Sequence, residues 1–237
     1  VLQVLLAFSE QRPQATISEL AEVVGVPLST CYRYVGLLRE MGLLEEGERS
    51  TYHVTPQIMH VARAAQLSNT IARRARPVLQ RLSEESGETV LLMQQQGSVA
   101  VCVVALVSDR RVRLVFEPGY TVGLGLTASG KVLLAFMPEL ARSAYLAQRA
   151  AADPEFSRQL PELERELAEC TKTGWATSKG AVEEGTWACA APVRDGDRAV
   201  AAISIAAPVF RIGQQERIRI RDLVLEGAAE VARAAGP

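Results

Sequence analysis

An α+β fold in two parts is what this sequence predicts, and three observations predict it. Over residues 16–44, two short apolar periodicities of helical spacing meet at a glycine. A long arginine-bearing helical stretch follows. Beyond Gly87 the pattern changes to period two, with runs of strands, then helices, then strands again. Strands grouped in that way, with hairpin signals between them, argue an antiparallel sheet rather than alternating βαβ units. The length of 237 residues suits two small domains, and a hydrophobic content of 48% is enough for a real core.

The first part reads TISELAEVVGVPLSTCYRYVGLLREMGLL. Thr16 with Glu19 makes a capping box that starts a helix carrying Ile17, Leu20, Val23 and Val24 at helical spacing. Gly25 suits a position of positive φ, and Pro27 suits the first position of the next helix, where no N–H is needed. That second helix runs through Cys31, Tyr34, Val35, Leu38 and Met41 and stops at Gly42-Leu43-Leu44. EEGERSTYHV then reads as strand, a turn at Gly47, and strand: a wing. Residues 1–56 are therefore expected to form a winged helix-turn-helix, whose second helix enters a DNA major groove. With Cys31, Tyr34, Val35 and Leu38 inward, the opposite face carries Ser29, Thr30, Tyr32, Arg33 and Gly36. An arginine forks onto guanine, and short hydroxyls reach phosphates and base edges. Arg49, Ser50 and Thr51 on the wing complete the DNA-binding set. The bland alternative, a helical hairpin with a solvated outer face, requires turn, cap and wing all to be coincidental.

Charge argues the other way. Residues 1–60 hold Arg12, Arg33, Arg39 and Arg49 against seven glutamates, although a DNA-binding domain carries a basic footprint. The chain opens on VLQVLLAF without a methionine, which reads as the interior of a helix and leads us to expect residues upstream. The stretch 57–83, a linker helix or helix pair interrupted at Pro77, adds Arg63, Arg73, Arg74, Arg76 and Arg81 with no acid before Glu84. Its arginines are a solvated face or a track along the DNA backbone. Modest affinity per head favours a dimer or higher assembly.

In the second domain, 84–237, ETVLLMQQQ and SVAVCVVALV flank Gly97 as a hairpin, and VRLVF follows as another strand. Helices are expected at SGKVLLAFM, PELARSAYLAQRA and PELERELAECTKTG. TWACAAPVR and RAVAAISIAAPV are strands joined by Asp195-Gly196-Asp197, a strong hairpin signal, and QQERIRIRDLVLEGAAEVARAA is a closing amphipathic helix.

Little in that domain carries chemistry. Gly125 to Val132 matches a phosphate loop except at its last position, where Val132 replaces the Ser or Thr that would hold magnesium. A humbler role survives, since Thr127, Ser129 and Gly130 open a helix whose free N–H groups suit an anion such as a carboxylate. His53 and His60 lie outside the domain, which offers no histidine base, no paired carboxylates and no nucleophile signature, so no catalytic residue is assigned and no enzymatic activity is expected. Cys31, Cys102, Cys170 and Cys189 show neither metal-ligand spacing nor a disulfide framework, which leaves no metal, no cofactor and a reducing cytoplasm as the expectation. The longest apolar run, 99–107, falls far short of the ~18 residues of a membrane span, and no secretory leader is visible.

The winged domain, the linker helix, TASGKVLLAF, TGWATSKGAVEEGTWACAAPV and AAISIAAP, in that order, resemble the IclR family of bacterial transcriptional regulators over essentially the whole chain. The resemblance implies a GAF-like effector domain and binding, as a homodimer or a dimer of dimers, to a palindromic operator in promoter DNA. It also implies a small organic effector, often a carboxylate or an aromatic catabolite. Carried over by position, the family's pocket lies where Ala128, Ser129 and Gly130 begin a helix, with Leu114 on a strand below, and continues at Ser178, Thr186, Ala188, Ser204 and Ala206. Three departures make that pocket less acidic and less polar. Ser178, Lys179 and Gly180 stand where the family has an acidic run. Its usual cysteine aligns with Ala188, Cys189 coming one position later on the opposite face of the strand. Ala206 stands where some members have a second serine. Two alternatives remain: a small-molecule enzyme tethered to a DNA-binding head, or a second domain that serves only oligomerisation. Polar groups converging on a cavity at Ser129, Ser178 and Ser204 would discriminate against the latter.

Overall fold

The computed structural model describes residues 1–9 and 12–234; Glu10, Gln11 and the last three residues, including Ala235 of the expected closing helix, lie outside them. The chain divides into two compact units, Val1–Ser68 and Asn69–Pro237.

The first unit contains α1 (Leu2–Leu5), β1 (Gln14–Thr16), α2 (Ile17–Val24), α3 (Leu28–Glu40), β2 (Leu44–Glu46), β3 (Thr51–Val54) and α4 (Ile58–Ser68). The capping box forms as its residues dictate: Thr16 Oγ1 accepts from the Glu19 N–H at 3.3 Å, and the Glu19 carboxylate accepts from the Thr16 N–H at 2.7 Å. Gly25 ends α2 at φ 70°, and Pro27 is extended, preceding the first helical residue rather than being it. Cys31, Val35 and Leu38 of α3 meet Ile17, Leu20 and Ala21 of α2, closed off by Val4, Leu44 and Tyr52. Val23 is exposed, because the buried stripe of α2 runs through Ala21 and Val24 instead. Antiparallel β2 and β3 form the expected wing, and β1, which the sequence pattern did not reveal, adds a third strand by pairing with β3. The turn does not rest on a left-handed glycine. Gly47 is extended at φ −97°, while Arg49 and Ser50 take the positive φ values of 54° and 58°.

The second unit contains α5 (Thr70–Ser86), β4 (Thr89–Gln96), β5 (Val99–Leu106), β6 (Thr121–Gly123), α6 (Ala128–Ala135), α7 (Glu139–Ala152), α8 (Pro154–Thr173), β7 (Ala176–Lys179), β8 (Thr186–Asp195), β9 (Arg198–Pro208) and α9 (Gln214–Ala234). Its six strands form one antiparallel sheet in the order β6-β5-β4-β9-β8-β7. Alternation splits the side chains between two layers. Leu92, Cys189, Ile203 and Ile205 pack under α5 and α9, whereas Leu91, Met93, Ala190 and Ala202 pack under α6, α7 and α8. At Gly227 the helices α5 and α9 come so close that a Cβ would lie 2.7 Å from Leu82. Among the described residues no helix is long and apolar enough to cross a membrane.

Three expectations are corrected here. The break in the 57–83 stretch falls at Asn69, whose side chain caps α5 by accepting from the Ala72 N–H, while Pro77 lies inside an unbroken helix. Likewise α8 starts at Pro154, with Asp153 accepting from the N–H groups of Glu155 and Phe156; the earlier Asp-Pro start signal outweighs Pro161. Finally, VRLVF is not a strand. Residues 112–116 pair with no strand and are held by individual bonds.

Candidate functional site

Register explains a cavity on the α6 side of the sheet. Thr89, Ala206, Ala188 and Ser178 align across β4, β9, β8 and β7, and beside that row run Leu91, Ser204, Ala190 and Ala176. Residues this small cannot fill the space below the start of α6, and a cavity of about 360 Å³ remains. Its wall includes Ser129, Ser178, Thr186, Ala188, Ser204 and Ala206, together with Leu114, which belongs to the irregular segment rather than to a strand.

Two residues expected there are not on the wall. Ala128 is fully buried among core side chains, and Gly130 faces the chain behind it, where a Cβ would lie 2.9 Å from the Gly123 carbonyl oxygen. Gly130 thus serves close packing. The start of α6 still faces the cavity through Thr127 and Ser129. Thr127 Oγ1 accepts from the Gly130 N–H at 3.2 Å and lies 3.4 Å from the Ser129 hydroxyl, while the first N–H groups of the helix have no partner within it.

The hydroxyls of the wall differ in their commitments. Thr186 donates to the Glu183 carbonyl at 2.6 Å. Ser204, only 2% exposed, has no side-chain hydrogen-bond partner among the described residues. The sequence reading missed Arg113, Phe116, Tyr120 and Glu183, all on the wall. Assigning 112–116 to a strand hid the first two, and the Phe116–Tyr120 ring pair (5.2 Å between centroids) is formed by the fold of that segment.

Lys131, the residue a phosphate loop would aim at its nucleotide, is committed elsewhere. Its Nζ lies 2.7 Å from Glu166 and donates to the Thr177 carbonyl. The buried thiols are not poised as nucleophiles, since burial pushes Cys102, Cys170 and Cys189 each up to about 12 and raises Cys31 as well. Among the described residues no cluster could hold a metal ion.

In the first unit, α3 turns Ser29, Tyr32 and Arg33 outward, with Thr30 half-buried beside them. Arg39 is taken by Glu46 at 3.3 Å, whereas Arg33 and Arg49 have no ion pair among the described residues. The Arg33 guanidinium lies 5.7 Å from the Tyr34 ring centre. On the wing, Arg49 and Ser50 are exposed at the left-handed turn, while Thr51 donates to the Glu48 carbonyl and so closes the turn.

Comparison with known proteins follows both units. Residues 1–48 match the IclR helix-turn-helix domain, and residues 64–233 match the family described as bacterial transcriptional regulator IclR C-terminal. The HTH-type transcriptional regulator KipR of Bacillus subtilis is 27% identical over 98% of this chain and 94% of its own. The crystal structure of a putative IclR transcriptional regulator from Silicibacter sp. is 28% identical, covering 99% of this chain and 94% of that one with a TM-score of 0.85. An IclR homologue from Microbacterium hydrocarbonoxydans, crystallised with 4-hydroxybenzoate, shares the fold at 21% identity and a TM-score of 0.74, over 98% of this chain and 97% of its own.

Proposed function

The chain belongs to the IclR family of bacterial transcriptional regulators, and from that premise we propose that its cavity receives a small organic effector with one carboxylate and an aromatic or aliphatic body. The observation that carries this reading is the convergence of the Ser129, Ser178 and Ser204 hydroxyls on one cavity. The Ser204 hydroxyl makes no bond within the described residues and opens onto the cavity, so it is free to bond a ligand atom there. The carboxylate belongs at the start of α6, where unpaired N–H groups and the positive end of the helix dipole favour an anion, and Arg113 adds a cation to the wall. Ala188, Ala206, Leu91 and Phe116 suit an apolar body. The co-crystallised 4-hydroxybenzoate of the Microbacterium homologue belongs to the same chemical class. The cavity also speaks against a second domain that only oligomerises.

On the DNA side, we infer that a homodimer or dimer of dimers reads a palindromic operator through Ser29, Thr30, Tyr32 and Arg33 of α3 and Arg49, Ser50 and Thr51 of the wing. So few cations per head make two heads necessary. Half-sites then lie about 34–36 Å apart, or a multiple of that. Effector binding shifts a population between two arrangements of the heads through differential affinity.

The test is thermal unfolding against benzoate, hexanoate and xylitol. An acid at 100 times its dissociation constant stabilises the chain by roughly 2.7 kcal/mol. Ala206→Leu fills the cavity, so it should abolish that shift and leave DNA binding by the ligand-free protein intact. A shift with xylitol and none with the acids would sink the carboxylate reading.

A further inference from the structure

The segment 107–120 supplies one wall of the cavity through Arg113, Leu114, Val115, Phe116 and Tyr120, yet it contains neither strand nor helix. Its C-terminal end is tied to β5 by backbone bonds, Gly119 N–H to the Cys102 carbonyl and Cys102 N–H to the Tyr120 carbonyl, both at 2.8 Å. Residues 108–114 are held by individual bonds that centre on three consecutive residues, 87–89. Glu88 is 2% exposed. Arg211 grips it with two hydrogen bonds, Nε to Oε1 at 2.8 Å and Nη2 to Oε2 at 2.9 Å, and the same Nη2 donates to the Val112 carbonyl at 2.8 Å. Arg110 reaches the Glu88 carboxylate from the segment itself at 3.1 Å. On either side, Ser108 Oγ donates to the Gly87 carbonyl and Thr89 Oγ1 donates to the Leu114 carbonyl, both at 2.7 Å.

A carboxylate removed from water is tolerated only when it is paired, and one arginine with satisfied geometry would suffice. Here a second cation comes from the irregular segment, and the first spends a donor on a backbone carbonyl next to Arg113. Both connections lie just before Arg113, the cation of the cavity wall among the described residues, and the Thr89–Leu114 bond lies just after it. Gly87 fits the same scheme: it ends α5 at φ 64°, and a Cβ there would lie 2.7 Å from the Arg110 guanidinium. The hydrogen bond to Glu88 also raises the pKa of Arg211 above its ordinary value, so its charge is secure.

We propose that Glu88 and Arg211 are positioning residues for the cavity. Together they set the height of residues 110–116 above the sheet, and with it the size of the cavity and the aim of Arg113. They also tie that wall to the C-terminal end of α5, so filling or emptying the cavity is felt there. The role in ligand binding rests on the reading of the cavity given above; the positioning does not.

The deciding variant is Arg211→Lys, which keeps a positive charge beside Glu88 but cannot span both the carboxylate and the Val112 carbonyl. Amide hydrogen exchange is measured on the ligand-free full chain. The bonded amides of Ser108 and Arg110 should exchange about ten-fold faster or more, the change expected from one lost charge-assisted hydrogen bond, while β4 and β9 keep their protection. Faster exchange throughout the sheet would mean that the pair only stabilises the unit, and unchanged exchange would mean that it holds nothing; either overturns the proposal. Should Arg211→Lys not fold, Arg110→Gln removes the half-exposed connection and is read in the same way. Benzoate titration is the second readout. Weaker binding to the variant supports the positioning role, and unaltered binding despite a loosened wall overturns the link to the cavity. If the wild type binds no acid, the effector reading fails while exchange still decides whether Glu88 and Arg211 position the wall.

Discussion

In residues 1–68 the candidate reading surface is compact in sequence, with 29–33 on one helix and 49–51 a short hairpin away. In residues 69–234 the cavity wall draws on β4, β6 to β9, α6 and two loops, from Leu91 to Ala206. The first surface is made by local chemistry: a cap, a glycine, and a helical period. The second exists only because four strands pair in one register that aligns small residues. The two surfaces should therefore fail under different kinds of change, and the largest effect should come from a single side chain on the local one.

Arg33 is the outward cation of α3 without an ion pair among the described residues. Arg33→Ala should cost about 1–3 kcal/mol of operator affinity per head while leaving thermal unfolding unchanged. A gel-shift titration that shows unaltered affinity would move the readout to the wing, to Arg49.

Gly130→Ala probes the distributed surface. The added methyl meets two backbone atoms, the Gly123 carbonyl oxygen at 2.9 Å and the Gly125 nitrogen at 3.2 Å, so neither neighbour is a side chain that can swing away. The sheet unit should lose about 1–3 kcal/mol, the usual cost of overpacking. Thiol labelling separates the units. Cys102, Cys170 and Cys189, each pushed up to about 12 by burial, report the sheet unit, and Cys31 reports the head. Labelling of the first three should rise and that of Cys31 should not. If all four rise together, the halves unfold as one and the contrast drawn here collapses.

Thr16→Ala is the mirror experiment. Loss of the cap should cost the head about 1 kcal/mol and raise the labelling of Cys31 alone. The cap also has a pH signature. The Thr16 backbone N–H, and then its hydroxyl, hold the Glu19 carboxyl below its ordinary 4.5. A depressed folded pKa means a contribution present above pH 4.5 and lost as pH falls through the lower folded value. Head stability in the wild type should thus decline in that acid window, and Glu19→Gln should flatten the decline.

What could be read in advance follows the same division. Capping box, turn glycine, inward stripe of α3 and the Gly196 hairpin were legible because each is decided by neighbours within a few residues. The wing's turn was legible at Gly47, but nothing in the local pattern marks Arg49 and Ser50 for the positive φ they adopt. In the sheet unit, β6 and β7 are short strands placed by their partners, and VRLVF has strand alternation but pairs with no strand. Ser178, Ser204 and Ala206 were reached through family resemblance, whereas Arg113, Glu88 and Arg211 depend on contacts across up to 123 positions.

The smallest effect sharpens the comparison from the side of empty space. Gly36 lies within α3, on the face that carries Ser29, Tyr32 and Arg33, and a Cβ there meets nothing within 4 Å. Glycine inside a helix costs about 0.8–1.0 kcal/mol relative to alanine, and here no packing partner compensates for it. Gly36→Ala should therefore stabilise the head by about that amount and slow the labelling of Cys31. A helix that gives up this stability on an open face has a use for the space when something outside the chain approaches, and a nucleic-acid backbone against the recognition helix is such a partner. DNA affinity should accordingly fall as stability rises, by less than in Arg33→Ala. A variant that is more stable and binds DNA as tightly as the wild type would show that Gly36 serves no approach, and that the reading surface lies along Ser29 and Arg33 alone.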